Sequence, residues 1–221
     1  MEHAEYLFNI GPLGVASHVT TMWGIMAVIA VLSFLGTRNM QRLPSGVQNF
    51  METVVEMLLK FFGDIIGEKK ARQFLPFLGT MFIFILMSNY SGLLPGSGHV
   101  AGLAAPSSTL SVTAGLAICV FFTTHYYGVK AQGIKYFKSF AQPVFFMFPL
   151  NVVEQFVRPL SLSLRLFGNI YGEEMTLAVL LSIVPYFVPI IMMGLSLLFG
   201  AIQAIVFTLL ASIYFLEAVE H

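Results

Sequence analysis

The chain has 221 residues, 57% of them hydrophobic and 10% charged, with a mean hydropathy of +0.83; a water-soluble domain carries nearer ~25% charge. Eleven cationic and eleven acidic side chains cancel, and no basic cluster suits nucleic acid. This is the composition of an integral membrane protein, and its one cysteine, Cys119, excludes an internal disulfide.

Residues 1–17 carry Glu2 and Glu5 but no Lys or Arg, so they lack a secretory n-region and read as an external N-terminal segment, inserted without cleavage. A first apolar run, 19–35, is long enough to cross ~30 Å of hydrocarbon, and Arg38 and Arg42 follow it. Residues 45–68 are amphipathic. Val47, Phe50, Met51, Val54, Val55, Leu58, Leu59 and Phe62 recur at helical spacing, while Glu52, Glu56, Lys60 and Asp64 line another face. That pattern suits a helix lying in the membrane interface. Lys69, Lys70 and Arg72 close it. A second crossing is expected over 74–94, a third over 110–127, and the loop between them, 95–106, has no formal charge.

Two long segments complete the chain, 152–184 and 190–218, with Pro185 and Pro189 bracketing a turn. At ~1.5 Å per residue the first would be about 50 Å long, against a hydrocarbon slab of ~30 Å. Unless it breaks, it must lie steeply oblique. The expected fold is a single all-α membrane domain over 1–221. It has five crossings and one interfacial helix, and its last two helices form a long tilted hairpin. Nine of the eleven cations (Arg38, Arg42, Lys60, Lys69, Lys70, Arg72, Lys130, Lys135 and Lys138) then fall on one side. By the positive-inside rule the N-terminus is outside and the C-terminus cytoplasmic.

Within the penultimate helix Arg165 is a permanent cation in apolar surroundings. The residues three and four away on its helix are Leu162, Ser161, Gly168 and Asn169, none of them acidic. Intramembrane ionisable groups are functional by default; the alternative is a structural bridge to a carboxylate elsewhere in the chain. Ser161, Arg165, Gly168, Asn169, Gly172 and Thr176 share one broad stripe of small or polar residues, which lets another helix approach closely.

Other polar groups leave two readings each. Glu154 and Arg158, spaced i, i+4 in the favourable order, are either a satisfied pair near the cytoplasmic surface or the lining of a water-filled entrance. Glu173 and Glu174 are either carboxylates among headgroups or acids in a solvated cleft. Glu174 points nearly opposite to Arg165. Ser196, Gly200 and Gln203 share a face of the last helix, where Gln203 is a relay or a mere interhelical bond. Asn89, Ser107, Thr109, Ser111 and Thr113 either hydrate a cleft or bond helix to helix. The five histidines show no metal-ligand spacing, and no phosphate loop or nucleophile–base pair is present.

Ser163-Leu164-Arg165-Leu166-Phe167-Gly168-Asn169 resembles the signature of subunit a of the rotary F-type ATP synthase, the stator half of its ion-translocating motor. The similarity covers nearly the whole chain. It includes Asn89…Gly92-Leu93…Pro95, Pro106-Ser107 and Gln203. The resemblance implies that Arg165 faces a ring of c subunits and separates two offset aqueous half-channels. It further implies that Glu174, Asn169 and Gln203 serve the outer one. Where some relatives have histidine this chain has Ser196, which leaves Glu174 as the proton relay. Some relatives have aspartate where Gly92 or Thr109 stands. The family also implies b subunits of a peripheral stalk as partners, a bacterial plasma (inner) membrane, no cofactor and no catalysis by this chain alone. Protons are the expected ion, with sodium the alternative, since the ring carboxylate that decides lies on another chain. A rival class is a self-contained secondary transporter in which Arg165 binds an anion. That class usually shows repeated halves, and no repeat is visible.

Overall fold

A computed structural model of the chain describes residues 6–10, 13–38, 40–41, 46–94, 104–133, 135–136, 148–184 and 188–220. The Pro185 turn, the 95–103 part of the uncharged loop, Arg42 and Lys138 lie outside the described residues. The chain is an all-α membrane protein. To the helices expected from sequence it adds a short antiparallel hairpin, β1 (Tyr6–Ile10) on β2 (Leu13–Ala16), in the N-terminal segment.

The helices are α1 (Ser17–Thr37), α2 (Val47–Ile66), α3 (Glu68–Ser91), α4 (Leu110–Gln132), α5 (Phe148–Ile183) and α6 (Val188–Glu220), with a 3₁₀ turn at Pro106–Ser108 before α4. Four of them, α1, α3, α4 and α6, contain segments long and apolar enough to cross a membrane. The α2/α3 break is set by Gly67, whose φ of 83° is a left-handed conformation that favours glycine. Lys69, Lys70 and Arg72 therefore open α3 instead of closing α2. Glu68 ahead of them suits the positive end of the new helix dipole.

The amphipathic period of α2 has a direct structural use. Leu58, Phe62 and Ile66, one helical turn apart, are its buried residues, and Leu58 lies against Gly79 of α3. Aromatic rings then tie α3, α4 and α6 together. Phe74 is fully buried, edge-on to Tyr127 at 4.8 Å and to Phe215 at 5.4 Å. In hydrocarbon such packing replaces the hydrophobic effect as the force joining helices. On the outside, Phe34, Phe122, Ile183 and Ile190 are each more than 60% exposed, a surface suited to lipid tails.

Helix α5 is one continuous helix of 36 residues, about 54 Å at ~1.5 Å per residue. Pro159 sits inside it without dividing it, although a proline there removes one backbone donor. One edge of α5 is anchored by Leu162, Leu166 and Ile170, which are 2%, 0% and 4% exposed.

Candidate functional site

The buried edge of α5 fixes what its other side presents. Ser161, Arg165, Gly168, Asn169, Gly172 and Thr176 are all exposed. Among the described residues, apart from chain neighbours and the helix's own nearby backbone, a Cβ added at Gly168 or Gly172 would meet nothing within 4 Å. Arg165 thus stands on an open, low-relief face, with no hydrogen bond or ion pair among the described residues.

On the side of Arg165 toward the C-terminal end of α5, Asn169 Nδ2 donates to Gln203 Oε1 of α6 at 2.7 Å. Gln203 is 4% exposed, and its Nε2 has no partner among the described residues. Beyond this pair lies a cleft with about 330 Å³ of open space, lined by Asn89, Gly92, Leu93, Ile170, Glu173, Glu174, Leu177 and Ser196. The two adjacent acids, the α3 amide and the α6 hydroxyl are therefore brought to one place. The Glu174 carboxylate reaches the end of α3, where a Cβ on Gly92 would stand 3.1 Å from its Oε1 and 3.0 Å from Ala105 Cβ. Gly92 has an ordinary helical φ of −66°, so it is space and not backbone freedom that calls for glycine.

Helices α3 and α6 meet closely beside this cleft. Asn89 Nδ2 donates to the Gly200 carbonyl at 2.9 Å, and Tyr90 OH to the Leu197 carbonyl at 3.1 Å. Four more buried side-chain atoms, Ser88 Oγ, Asn89 Oδ1, Ser107 Oγ and Ser196 Oγ, have no partner among the described residues. A buried polar atom left so costs ~1–3 kcal/mol, and such groups are ordinarily met by water. Ser107 is buried in the 3₁₀ turn and does not line the cleft. Thr113 lies 3.2 Å from the Ser163 hydroxyl, which joins α4 to α5.

On the other side of Arg165 a second cleft, about 250 Å³ of open space, is lined by Val120, Phe121, Thr124, His125, Gln155, Arg158, Pro159, Leu162 and Tyr214. Arg158 is held from both long helices. Its Nε and Nη2 donate to Glu154 Oε1 at 3.2 and 2.6 Å, and its Nη1 donates to Glu217 Oε2 of α6. The guanidinium also lies 5.1 Å from the centre of the Tyr214 ring, within cation–π range. Glu154 and Arg158 are thus paired and beside a cleft at once. Beyond α4 Tyr136 is buried, its ring against Gly128, and its centroid is 5.8 Å from that of His125. Burial pushes the Tyr136 phenol up, and the charge of Arg158 partly offsets this.

Sequence reasoning did not single out Glu217, Tyr214, Thr124 or Ser88. Spacing along one helix cannot reveal a contact made across two. The clefts flank Arg165 along α5, one around Arg158 and one around Glu174, separated by about 24 Å at ~1.5 Å per residue. A family model described as the ATP synthase A chain matches residues 19–216 of the chain.

Proposed function

Because the chain belongs to the ATP synthase A chain family, we propose that it translocates protons through two offset half-channels, which meet a ring of c subunits on either side of Arg165. The observation that carries this reading is Arg165 itself, an exposed cation with no hydrogen-bond or ion-pair partner among the described residues, on an open face between two clefts. A charge at the bilayer centre costs ~2.5–3.5 kcal/mol even on the lenient insertion scale, so such a face calls for an anionic partner from another chain.

In this mechanism each ring carboxylate crosses lipid only as the neutral acid. Near Arg165 its ionised form is favoured by the opposite charge, and it releases its proton. It is reloaded from the other half-channel after the ring has moved past. The fixed guanidinium repels a cation taking the short route between clefts. Each proton carried through the full potential delivers ~2.3 kcal/mol per 100 mV, which rotation passes on.

The Glu174 cleft is the proposed outer half-channel. Glu174 is its relay, Glu173 lines it beside Glu174, and Asn89, Ser196 and the Asn169–Gln203 pair hydrate the way to Arg165. Hydroxyls and amides that both donate and accept suit proton transfer through water. The Arg158 cleft is the proposed cytoplasmic half-channel, with Glu154 and Arg158 at its entrance. The positive-inside count supports this orientation in a bacterial inner membrane, with α5 as a fifth, oblique crossing and α2 in the interface. The b subunits of a peripheral stalk are the expected static partners.

The test is ATP-driven pumping by the whole complex in sodium-free vesicles, parent against Arg165→Ala. Loss of pumping with intact assembly is expected. Coupled pumping by the variant rejects the role of Arg165, and a sodium requirement in the parent rejects protons as the ion.

A further inference from the structure

Arg158, which lines the second cleft, belongs to a charge arrangement that the entrance role alone does not use. One guanidinium is shared by two carboxylates, Glu154 from its own helix and Glu217 from α6. With both acids ionised the group has one negative charge in excess, and binding one proton makes it neutral. Two carboxylates thus share a single cation beside a cleft.

The two acids are held unequally. Glu154 Oε1 accepts from both Nε and Nη2, whereas Glu217 accepts only from Nη1. Charge-assisted hydrogen bonds are the strong ones, so Glu154 is the more firmly held of the two. Protonating Glu217 sacrifices one such bond; protonating Glu154 sacrifices two. The next acid along α6, Glu220, is already paired with Lys70 at the start of α3, so no second cation holds Glu217 among the described residues. The remaining titratable groups facing the triad are Tyr214 on α6, His125 on α4 and Tyr136 beyond α4. Arg165 lies two helical turns further along α5.

We propose that Glu217 is the proton-exchange group of the inner path, poised by Arg158 to pass protons between the cleft and the cytoplasmic water. The proposal rests on the proton-translocating reading above. In the synthesis direction, a proton released by the ring acid beside Arg165 moves through water in the cleft to a Glu217 carboxylate oxygen. The Arg158–Glu217 bond weakens as that anion is neutralised. The O–H bond of Glu217 then breaks toward bulk water, and the restored carboxylate takes back the guanidinium N–H. In ATP-driven pumping the same steps run in reverse, and nothing is oxidised or reduced.

The experiment uses the complete complex in sodium-free vesicles, with ATP-driven pumping followed while pH is varied on the cytoplasmic side. Glu217→Gln keeps an oxygen acceptor for Arg158 but cannot exchange a proton. It is expected to pump at least about tenfold more slowly and to lose one inflection from the pH profile, with partial rescue by a small carboxylic acid such as formate. Glu217→Asp is expected to restore the inflection. Glu220→Gln breaks a comparable cross-helix pair away from the cleft and is expected to keep the parent profile. An unchanged rate in Glu217→Gln overturns the inference. So does a lower rate with an unchanged pH profile and no rescue, which is the outcome for a mere brace. If the parent needs sodium, the proton reading and this inference fall together. If the parent pumps protons and Glu217→Gln behaves normally, only the inference falls.

Discussion

Asn169 and Gln203 meet by one short hydrogen bond, Nδ2 to Oε1 at 2.7 Å, and it spans the two long helices next to Arg165. The bond orients both amides. It uses the Gln203 oxygen and leaves the Gln203 Nε2 buried and pointing elsewhere. If the pair acts as a unit, its two members fail together. Asn169→Leu and Gln203→Leu are each expected to slow pumping about 3–10-fold, the worth of roughly one hydrogen bond. The double variant is expected to be no slower than the worse single one. Multiplying effects in a double-mutant cycle would show two independent sites.

Adjacent acids allow a sharper comparison. Glu174 approaches Gly92 across the cleft, while Glu173, its neighbour in sequence, lines the same cleft. Glu174→Gln is expected to slow proton uptake on the order of 100-fold, the low end of the range for lost acid–base groups, and more than Glu173→Gln. Initial pumping rates in vesicles decide this. Equal and negligible effects remove Glu174 from the path.

Gly92 sets the width of that cleft. In Gly92→Ala the new methyl would stand 3.0 Å from Ala105 Cβ and 3.1 Å from Glu174 Oε1. Overpacking of this kind costs ~1–3 kcal/mol, and the carboxylate is the more easily displaced of the two. Transport is expected to fall about 2–5-fold while the subunit still assembles at the parent level, as read by its content in the purified complex. Parent rates would show that the carboxylate position does not matter.

Gly168 tests the opposite face. Beyond its chain neighbours and the nearby backbone of its own helix, no atom of the described residues lies within 4 Å of a Cβ placed there, so Gly168→Leu has open space at the point where its side chain starts. The variant is expected to accumulate normally in the membrane and to lose most ATP-driven pumping, because the added side chain projects where the proposed ring would pass. Normal pumping by Gly168→Leu would argue that this face meets only lipid.

Much of this arrangement is legible in the residues. The apolar spacing of α2 announces a helix. The stripe around Arg165 announces an open face, since glycine, serine and threonine cannot build relief. Contacts between distant segments are another matter. The Arg158–Glu217 pair joins residues 59 positions apart, and no pattern within either helix marks it. The start of α3 at Glu68 was hidden because its cations continue the charged face of α2 without a gap; the turn rests on the backbone of Gly67 alone. The N-terminal hairpin is equally silent, because so short a pairing has no period long enough to read. The use of Gly92 appears only when a carboxylate is found against it.

The buried edge of α5 has a mechanical consequence. Leu162, Leu166 and Ile170 lock into their neighbours along that edge, so swivelling the helix by a single position would swing each of them out by ~100° and tear open the interior. Helix α5 is therefore a fixed post. In the proposed mechanism, whatever adjustment the ion hand-over needs must come from the limber methylene arm of Arg165 and from the proposed partner gliding past it.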